Sequence, residues 1–208
     1  MNKEELLRDL RDRILNCRRC HLRNYCRGPV PGDGPANAKI MFIGEAPGRQ
    51  EDIEGKPFVG AAGKLLTTLI EEVLNLRRSQ VYITNVVKCR PPNNRDPKPE
   101  EIEACSPYLN EEIRIIRPKC IITLGRHSTK YILRLGGIKV SSITRVRGSE
   151  YRLTILGLNT IIFPTYHPAA ALYNPRLREI LVMDFQKIKE IIKGEKRTET
   201  KTILDFLN

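Results

Sequence analysis

The hydrophobic positions of the chain fall into short continuous runs separated by longer stretches of helical periodicity. Four runs are apolar on both faces, which is typical of strands buried on both sides of a sheet. These runs are residues 39–44, 81–87, 120–125 and 160–166. Apolar residues three to four positions apart predict amphipathic helices between and after the runs. These helices cover residues 61–76, 98–116, 127–135 and 175–193. The alternation predicts an α/β fold, with a single domain built on a central four-stranded parallel sheet flanked by helices.

Two segments depart from this alternation. Residues 136–158 contain short β-like pieces around Arg145, Arg147 and Gly148, which predict a hairpin inserted at the sheet edge. Residues 187–201 are strongly charged and indicate a tether, which precedes the short apolar sequence ILDFL. We therefore assign a domain to residues 1–193 and a charged tether with a C-terminal tail to residues 194–208.

The charge of the chain indicates a polyanionic partner. Lysine and arginine total 36 against 24 acidic residues, a formal net charge of +12, so nucleic acid is the first partner to consider. No apolar run approaches the roughly 18 to 20 residues of a membrane span. The N-terminal segment alternates charge with leucine and lacks the apolar stretch of a signal peptide, so we expect a cytoplasmic protein. A composition rich in lysine, glutamate and arginine suggests a thermophile.

The cysteines indicate a metal or redox centre, because cytosolic reductants keep ordinary thiols free. Cys17 and Cys20 form a C-x-x-C pair, while Cys89 and Cys105 are single cysteines far downstream. Zinc fits this spacing, and an iron–sulfur cubane accepts it as well because each of its irons needs one thiolate. Together with His21 the pair also matches the attachment site of a c-type haem, which the lack of an export signal disfavours.

The two other cysteines fit other roles better. Cys120 opens an apolar run, so we expect a small buried hydrophobic residue there. Cys26 lies among basic residues and is a less favoured substitute for one of the four ligands.

Unusual residues follow all four predicted strands. GEAPGRQED, KCRPP, GRH and HP begin at Gly44, Lys88, Gly125 and His167. Because the carboxyl ends of parallel strands meet at one edge, where open α/β sheets bind ligands, we expect one functional site there.

These segments, in this order, make the sequence resemble the family-4 uracil-DNA glycosylases, thermostable iron–sulfur members of the uracil-DNA glycosylase superfamily. The resemblance extends to about residue 190 and includes the C-x-x-C loop, GEAPGRQED, GKPFVGAAGKLL, TNVVKCRPPNNRDP, ITLGRHSTKYIL and PTYHPAA. It implies the fold of that superfamily with an iron–sulfur loop. It also implies base excision repair, in which uracil is flipped out of single- or double-stranded DNA and its N-glycosidic bond is hydrolysed.

The resemblance implies a ligand set for a [4Fe-4S] cluster of structural function. The implied ligands are Cys17, Cys20, Cys89 and Cys105. Arginines surround these positions and suggest a phosphate-binding surface beside the cluster. They are Arg18, Arg19, Arg23, Arg27 and Arg90.

Three side chains match the uracil pocket of the family. Phe58 matches the ring that stacks on uracil, and Asn85 can donate to uracil O4 while accepting from N3–H, a pattern that cytosine reverses. His167 matches the histidine that donates to O2 as negative charge grows on the departing base. The backbone amides of Gly44, Glu45 and Ala46 are expected to line the pocket.

The residues that act on the attacking water and the residue that enters the DNA stack are less clearly indicated. Relatives outside the family have an aspartate where Ala46 stands, so Glu45 or Asp52 is left to polarise the water, and we assign no firm general base. Leu172 or Tyr173 is expected to enter the gap left by the flipped base. The family commonly has arginine in place of Tyr173.

Residues 200–207 resemble the peptide by which repair enzymes dock on the sliding clamp, although its usual first glutamine is a threonine. We expect a monomer, as is usual for such enzymes. Two alternatives are a glycosylase with broader substrates, such as hypoxanthine or mismatched thymine, and a non-catalytic metal-containing nucleic-acid-binding module. Asn85 and His167 argue against the second, because binding by itself requires neither residue at a strand end.

Overall fold

A five-stranded sheet forms the centre of the computed structural model, which describes residues 1–199, with side chains through residue 194. The strands are β1 (Ile40–Gly44), β2 (Tyr82–Asn85), β3 (Cys120–Leu124), β4 (Tyr151–Ile155) and β5 (Leu158–Thr165). Their order is β2-β1-β3-β5-β4, and the first four are mutually parallel. The predicted four-stranded parallel sheet is confirmed, and an antiparallel fifth strand, β4, extends its edge.

Helices cover both faces of this sheet. They are α1 (Lys3–Leu15), α2 (Arg49–Glu54), α3 (Ala61–Thr68), α4 (Pro99–Ile116), α5 (Arg126–Leu135), α6 (Ile143–Val146), α7 (Pro168–Ala171) and α8 (Pro175–Glu199). Helix α1 begins with a capping box, in which Asn2 and Glu5 satisfy each other's backbone amides. Short 3₁₀ turns occur at His21–Asn24, Arg78–Gln80 and Pro92–Asn94.

The continuous apolar runs are explained by the two cores that the sheet separates. Along β1, Met41 and Ile43 pack on one face with residues of α1, α4 and α5. Ile40 and Phe42 pack on the other face with α3 and α8. The ring of Phe42 stacks on Phe185 of α8 with centroids 5.9 Å apart. Because successive strand residues point to opposite faces, a strand covered on both sides is apolar at most of its positions.

The helix predicted over residues 61–76 is shorter than expected. Helix α3 ends at Thr68, and a π-helical turn follows over Leu69–Val73, with the Leu74 amide donating to the Leu69 carbonyl. The wider turn places Leu74 on the buried side with Leu69. Sequence periodicity of about 3.6 residues does not reveal this extra residue.

The predicted edge hairpin is present, but its first strand is further along the chain than expected. Residues 143–146, around Arg145, form the single turn α6, because the Ser142 side chain accepts from the Thr144 amide and caps it. Arg147 binds Asp184, and the Gly148 amide donates to the Pro164 carbonyl. The strand that pairs with β5 begins only at Tyr151.

The prediction of a tether from residue 187 is wrong for its first part. Helix α8 continues to Glu199, and Ile188 is completely buried in the core beside the sheet. Charge dominates this segment in sequence, whereas one apolar stripe anchors it in the fold. The residues of the predicted clamp-binding peptide, 200–207, lie outside the described residues. Within residues 1–199 no helix is long and apolar enough to cross a membrane.

Candidate active site and cysteine centre

The carboxyl ends of β1, β2 and β5 meet at one cavity of about 310 Å³. Its walls include Glu45 after β1, Asn85 at the end of β2 and His167 after β5. Phe58, from the loop between α2 and α3, contributes an aromatic wall. The structure therefore brings together four of the side chains that the sequence predicts for the site.

Asn85 presents an unsatisfied polar atom at this cavity. The residue is 1% exposed, and its Oδ1 accepts no hydrogen bond from any described residue. It stands opposite Gly44 in the register of β1 and β2. A buried carbonyl without a donor costs free energy, so the geometry favours a ligand that brings an N–H group.

The backbone at Phe58 is held in an unusual conformation. Phe58 has a φ of +53°, in the left-handed region that favours glycine. A Cβ on Gly63 would lie 2.0 Å from the Phe58 carbonyl carbon, so glycine is required there. Close backbone approach from the next helix thus fixes the position of the aromatic ring.

Glu51 supports the same loop, and sequence reasoning missed it. Its Oε1 accepts from the amides of Val59 and Gly60, both at 2.9 Å, and its Oε2 accepts from Gly48 at 3.1 Å. The buried carboxylate therefore joins the loop after β1 to the loop that carries Phe58. Its position three residues after Gly48 is the spacing of a helix N-cap, but only the fold reveals its contacts across the cavity.

His167 is held in the neutral tautomer that donates from Nε2. It caps α7, and its Nδ1 accepts from the Ala169 amide at 3.1 Å. Burial lowers the pKa of His167 to about 4, so the ring is neutral near pH 7. Because Nδ1 accepts, the hydrogen of the neutral ring lies on Nε2. The imidazole also stacks on Phe58, with centroids 5.6 Å apart.

Glu45 is a partly buried carboxyl with an unusual protonation equilibrium. Burial, reinforced by the charge of Asp96, raises the pKa of Glu45 to about 7, while Arg126 opposes the shift. Its Oε2 lies 3.8 Å from His127 Nε2, which in turn lies 3.5 Å from Asp96. Burial also lowers the pKa of His127. Glu45 is therefore the carboxyl of this cavity that can exchange a proton near neutral pH.

Asp52 does not belong to this cavity, which corrects the expectation that it polarises the water. Its side chain is buried, and its Oδ1 accepts from the Arg27 amide at 2.9 Å. Glu51 and Asp52 are adjacent on α2, so the helix directs one carboxylate to the cavity and the other to the cysteine-containing segment.

The segment between β2 and α4 adds two cavity residues that the sequence reasoning did not single out, Asn94 and Arg95. The Arg95 guanidinium donates to both carboxylate oxygens of Glu101, at 2.6 and 2.9 Å. His21 Nε2 lies 2.8 Å from the same carboxylate. Through Glu101, the residue after Cys20 is thus connected to the cavity wall.

The four predicted cysteine ligands line one small, mainly apolar cavity. They are Cys17, Cys20, Cys89 and Cys105. The Arg19 amide donates to Cys17 Sγ at 3.5 Å, and the Lys88 amide donates to Cys105 Sγ at 3.2 Å. Burial raises the pKa of Cys105 to about 11, so its thiolate requires a nearby cation. Four cysteines that line one cavity, two of which accept N–H···S bonds, fit a thiolate-ligated metal centre.

The remaining two cysteines lie apart from this cavity wall. Cys120 is 2% exposed within β3, as the sequence predicts. Cys26 is buried beside Cys89 in a small apolar cluster, and its thiol donates to the Arg23 carbonyl at 4.0 Å. It does not line the cavity that Cys17, Cys20, Cys89 and Cys105 share.

Basic and apolar groups surround these two cavities. Arg18, Arg19 and Arg27 are exposed near the cysteines, whereas Arg23 is partly buried. In the loop after α7, the Tyr173 side chain is 93% exposed. An exposed aromatic residue next to a concave site is available to a partner macromolecule.

Comparisons with known proteins show the family of the chain. The family model of the uracil DNA glycosylase superfamily matches residues 31–193. A type-4 uracil-DNA glycosylase of Sulfurisphaera tokodaii is 59% identical, over 92% of this chain and 87% of the relative. A type-4 uracil-DNA glycosylase of Archaeoglobus fulgidus is 48% identical, over 98% of this chain and 100% of the relative. The chain therefore belongs to the uracil DNA glycosylase superfamily and, within it, to the type-4 family.

Proposed function

We propose that the protein is a DNA repair glycosylase that flips uracil out of single- or double-stranded DNA and hydrolyses its N-glycosidic bond. The products are an abasic site and free uracil. The meeting of Phe58, Asn85 and His167 at one cavity, in a chain of this family, carries the proposal. Base extrusion costs a few kcal/mol, which contacts in the pocket must offset.

Asn85 is proposed to read the edge of the base. Its unpartnered Oδ1 accepts the uracil N3–H, and its Nδ2 donates to O4. Cytosine offers the opposite pattern at these two positions, so its binding leaves donors facing donors and acceptors facing acceptors. Because the oxygen is buried and has no other partner, this mismatch costs binding free energy.

Phe58 and the loop after β1 are proposed to complete the binding site. The Phe58 ring provides an aromatic face for the base. The backbone amides of Gly44, Glu45 and Ala46 are proposed to face the base. Glu45 and Ala46 line the cavity, and Gly44 precedes them at the end of β1. Glu51 acts as a positioning residue, because it holds both loops through backbone amides.

His167 is proposed to stabilise the leaving group. As the bond to the sugar breaks, negative charge develops on uracil O2, and a preorganised donor lowers the barrier. The hydrogen bond from Ala169 fixes Nε2 as the donor before substrate binds. Since burial lowers the pKa of His167 to about 4, the group acts as a neutral donor and does not transfer its proton.

Glu45 is proposed to polarise the attacking water. It is part of the cavity wall, and it is ionised above about pH 7, where a carboxylate can accept a proton. The water adds to the sugar carbon, and the bond to uracil breaks with its electron pair remaining on the base. Asp52 has no part in this step, because it does not line the cavity.

The basic surface and the loop after α7 are proposed to bind DNA. Arg18, Arg19 and Arg27 are exposed and can contact phosphates, which gives affinity without sequence preference. Leu172 and Tyr173 follow α7 and are placed to fill the gap left by the flipped base.

Cys17, Cys20, Cys89 and Cys105 are proposed to hold a [4Fe-4S] cluster. When bound, the cluster supplies a covalent cross-link between the N-terminal segment and the segments of β2 and α4, with no part in bond cleavage. The support is that the four cysteines line one apolar cavity and that backbone amides donate to two of their sulfurs.

Uracil-containing oligonucleotides, single- and double-stranded, test the activity. Incubation followed by alkali should cleave each strand at the uracil position, and uracil-free strands of the same sequence should stay intact. Strands with hypoxanthine or mismatched thymine test the broader-substrate alternative. DNA binding without any strand cleavage would contradict the proposed activity and favour a non-catalytic binding module.

Metal content tests the cluster. Protein purified anaerobically should be yellow-brown and should contain about four irons for each chain. A colourless protein with stoichiometric zinc would contradict the iron–sulfur assignment while leaving the four-cysteine site in place.

A further inference from the structure

A completely buried ion pair lies next to the end of β2. Lys88 and Glu112 are 1% and 0% exposed, and Lys88 Nζ lies 2.8 Å from Glu112 Oε2. Neither residue lines the cavity that contains Asn85. A buried ion pair is an expensive way to stabilise a core, since apolar residues of similar size often do as well. The contacts of the two side chains therefore indicate what the pair does.

The lysine ammonium uses its three hydrogens on three acceptors. Besides Glu112, its Nζ donates to Thr84 Oγ1 at 2.6 Å and to the backbone carbonyl of Asn85 at 2.8 Å. The Thr84 hydroxyl in turn donates to Glu112 Oε2 at 2.9 Å. The last two residues of β2 are thus tied directly to the ammonium group.

The other carboxylate oxygen of Glu112 faces away from this contact. Its Oε1 accepts from the Tyr82 hydroxyl at 3.1 Å and from the Gly32 amide at 3.3 Å. Every oxygen of the carboxylate therefore has a partner, and its orientation is fixed from both sides. A fixed carboxylate fixes the lysine, and the lysine fixes the carbonyl of Asn85.

The backbone of Lys88 also contacts the cysteine centre. Its amide donates to Cys105 Sγ at 3.2 Å, and the next residue is Cys89. The same residue thus contacts a sulfur of the centre with its backbone and the end of β2 with its side chain.

We propose that the Lys88–Glu112 pair is a positioning device for Asn85, which holds the end of β2 so that the amide of Asn85 meets the edge of the base. Because Lys88 is also anchored at Cys105, the device connects the cysteine centre to base recognition. The inference rests on the proposed function, in which Asn85 reads uracil. Both residues act through Asn85 and contact no substrate.

Two isosteric variants test the device, because each removes one hydroxyl from the same network. Thr84→Val removes a partner of the lysine next to Asn85, whereas Tyr82→Phe removes a partner of the carboxylate on its far side. We expect Thr84→Val to lower the single-turnover rate of uracil excision about 5- to 10-fold, the value of one hydrogen bond. Tyr82→Phe leaves the Gly32 amide on Oε1 of Glu112, which still orients the carboxylate. This variant should therefore keep the wild-type rate, with a loss of thermal stability similar to that of Thr84→Val.

A double variant should reduce the excision rate more than Thr84→Val does. Lys88→Met with Glu112→Met removes both charges together and leaves no unpaired ion. We expect the excision rate to fall about 100-fold, with DNA affinity and the visible absorbance of the cysteine centre unchanged. The preference for uracil over cytosine should fall with the rate. If the double variant does not fold, the rates of Thr84→Val and Tyr82→Phe test the positioning role by themselves.

Wild-type rates in both Thr84→Val and Tyr82→Phe would overturn the positioning role, and so would equal losses in both, which would indicate general structural support. Asn85→Ala, measured alongside, separates this inference from the proposed function. An inactive Asn85→Ala with an unaffected Thr84→Val would refute only the device. A fully active Asn85→Ala would refute the role of Asn85 in reading the base. It would then also refute the proposal that the Lys88–Glu112 pair positions Asn85 for that role.

Discussion

Gly44 and Asn85 face each other across the first two strands, and a Cβ on Gly44 would lie 2.4 Å from Asn85 Oδ1. The same Cβ would lie 2.6 Å from the end of the Phe58 ring. The absence of a side chain at residue 44 therefore makes room for two of the groups proposed to bind uracil.

Gly44→Ala is expected to reduce excision about 10- to 100-fold, because the added methyl group displaces both side chains from the base. Single-turnover kinetics on a uracil-containing strand measure the effect. Gly28→Ala is the matched control, since a Cβ there meets nothing within 4 Å. Equal rates for the two variants would show that the close approach at Gly44 has no role in catalysis.

His167→Ala is expected to lower the single-turnover rate about 10²- to 10³-fold, the usual effect of removing one donor to a developing anion. Because burial lowers the pKa of His167 to about 4, the defect should be the same at every pH from 6 to 8. DNA affinity, measured by fluorescence anisotropy, should change little. A defect that appears only in affinity would contradict the leaving-group role.

The pH profile tests Glu45. Since burial raises the pKa of Glu45 to about 7 and only the carboxylate can accept a proton, excision should become faster as the pH rises towards 7 and level off above it. Glu45→Gln should be slower and lack this rise. Asp52→Asn should keep the wild-type midpoint, because Asp52 lies outside the cavity. An identical profile in Glu45→Gln would exclude Glu45 as the titrating group.

Ile188→Ala tests the position of α8. Ile188 is completely buried, so the substitution should lower the free energy of unfolding by about 2 to 5 kcal/mol. Met183 lies on the same helix and is 57% exposed, so Met183→Ala should stay within about 0.5 kcal/mol of wild type. Thermal unfolding of the two variants gives the comparison. Equal stabilities would mean that residue 188 lies outside the core.

The parts of the fold that sequence predicts well are those with a local signal. Buried parallel strands are apolar on both faces, and this made the run that contains Met41 and Phe42 recognisable. Strand ends then located Asn85 and His167 at one edge, because parallel topology leaves no other arrangement.

The parts that sequence predicts poorly depend on contacts between distant segments. Glu51 and Asp52 are adjacent and chemically alike, and only their partners, Val59 and Arg27, separate a cavity residue from one outside it. For residues 187–193 helical periodicity favours a helix and charge favours a tether, and only the packing of Ile188 beside the sheet decides between them. Likewise, nothing local indicates that Lys88 is buried.

The most direct test of the central claim, that Asn85 reads the base, is the ratio of uracil to cytosine excision in Asn85→Asp. A carboxylate accepts from the cytosine amino group and opposes uracil O4, so the ratio should fall by about 10- to 100-fold. Asn93→Asp adds the same charge at an exposed position outside the cavity wall and should keep the wild-type ratio. An unchanged ratio in Asn85→Asp would contradict the account.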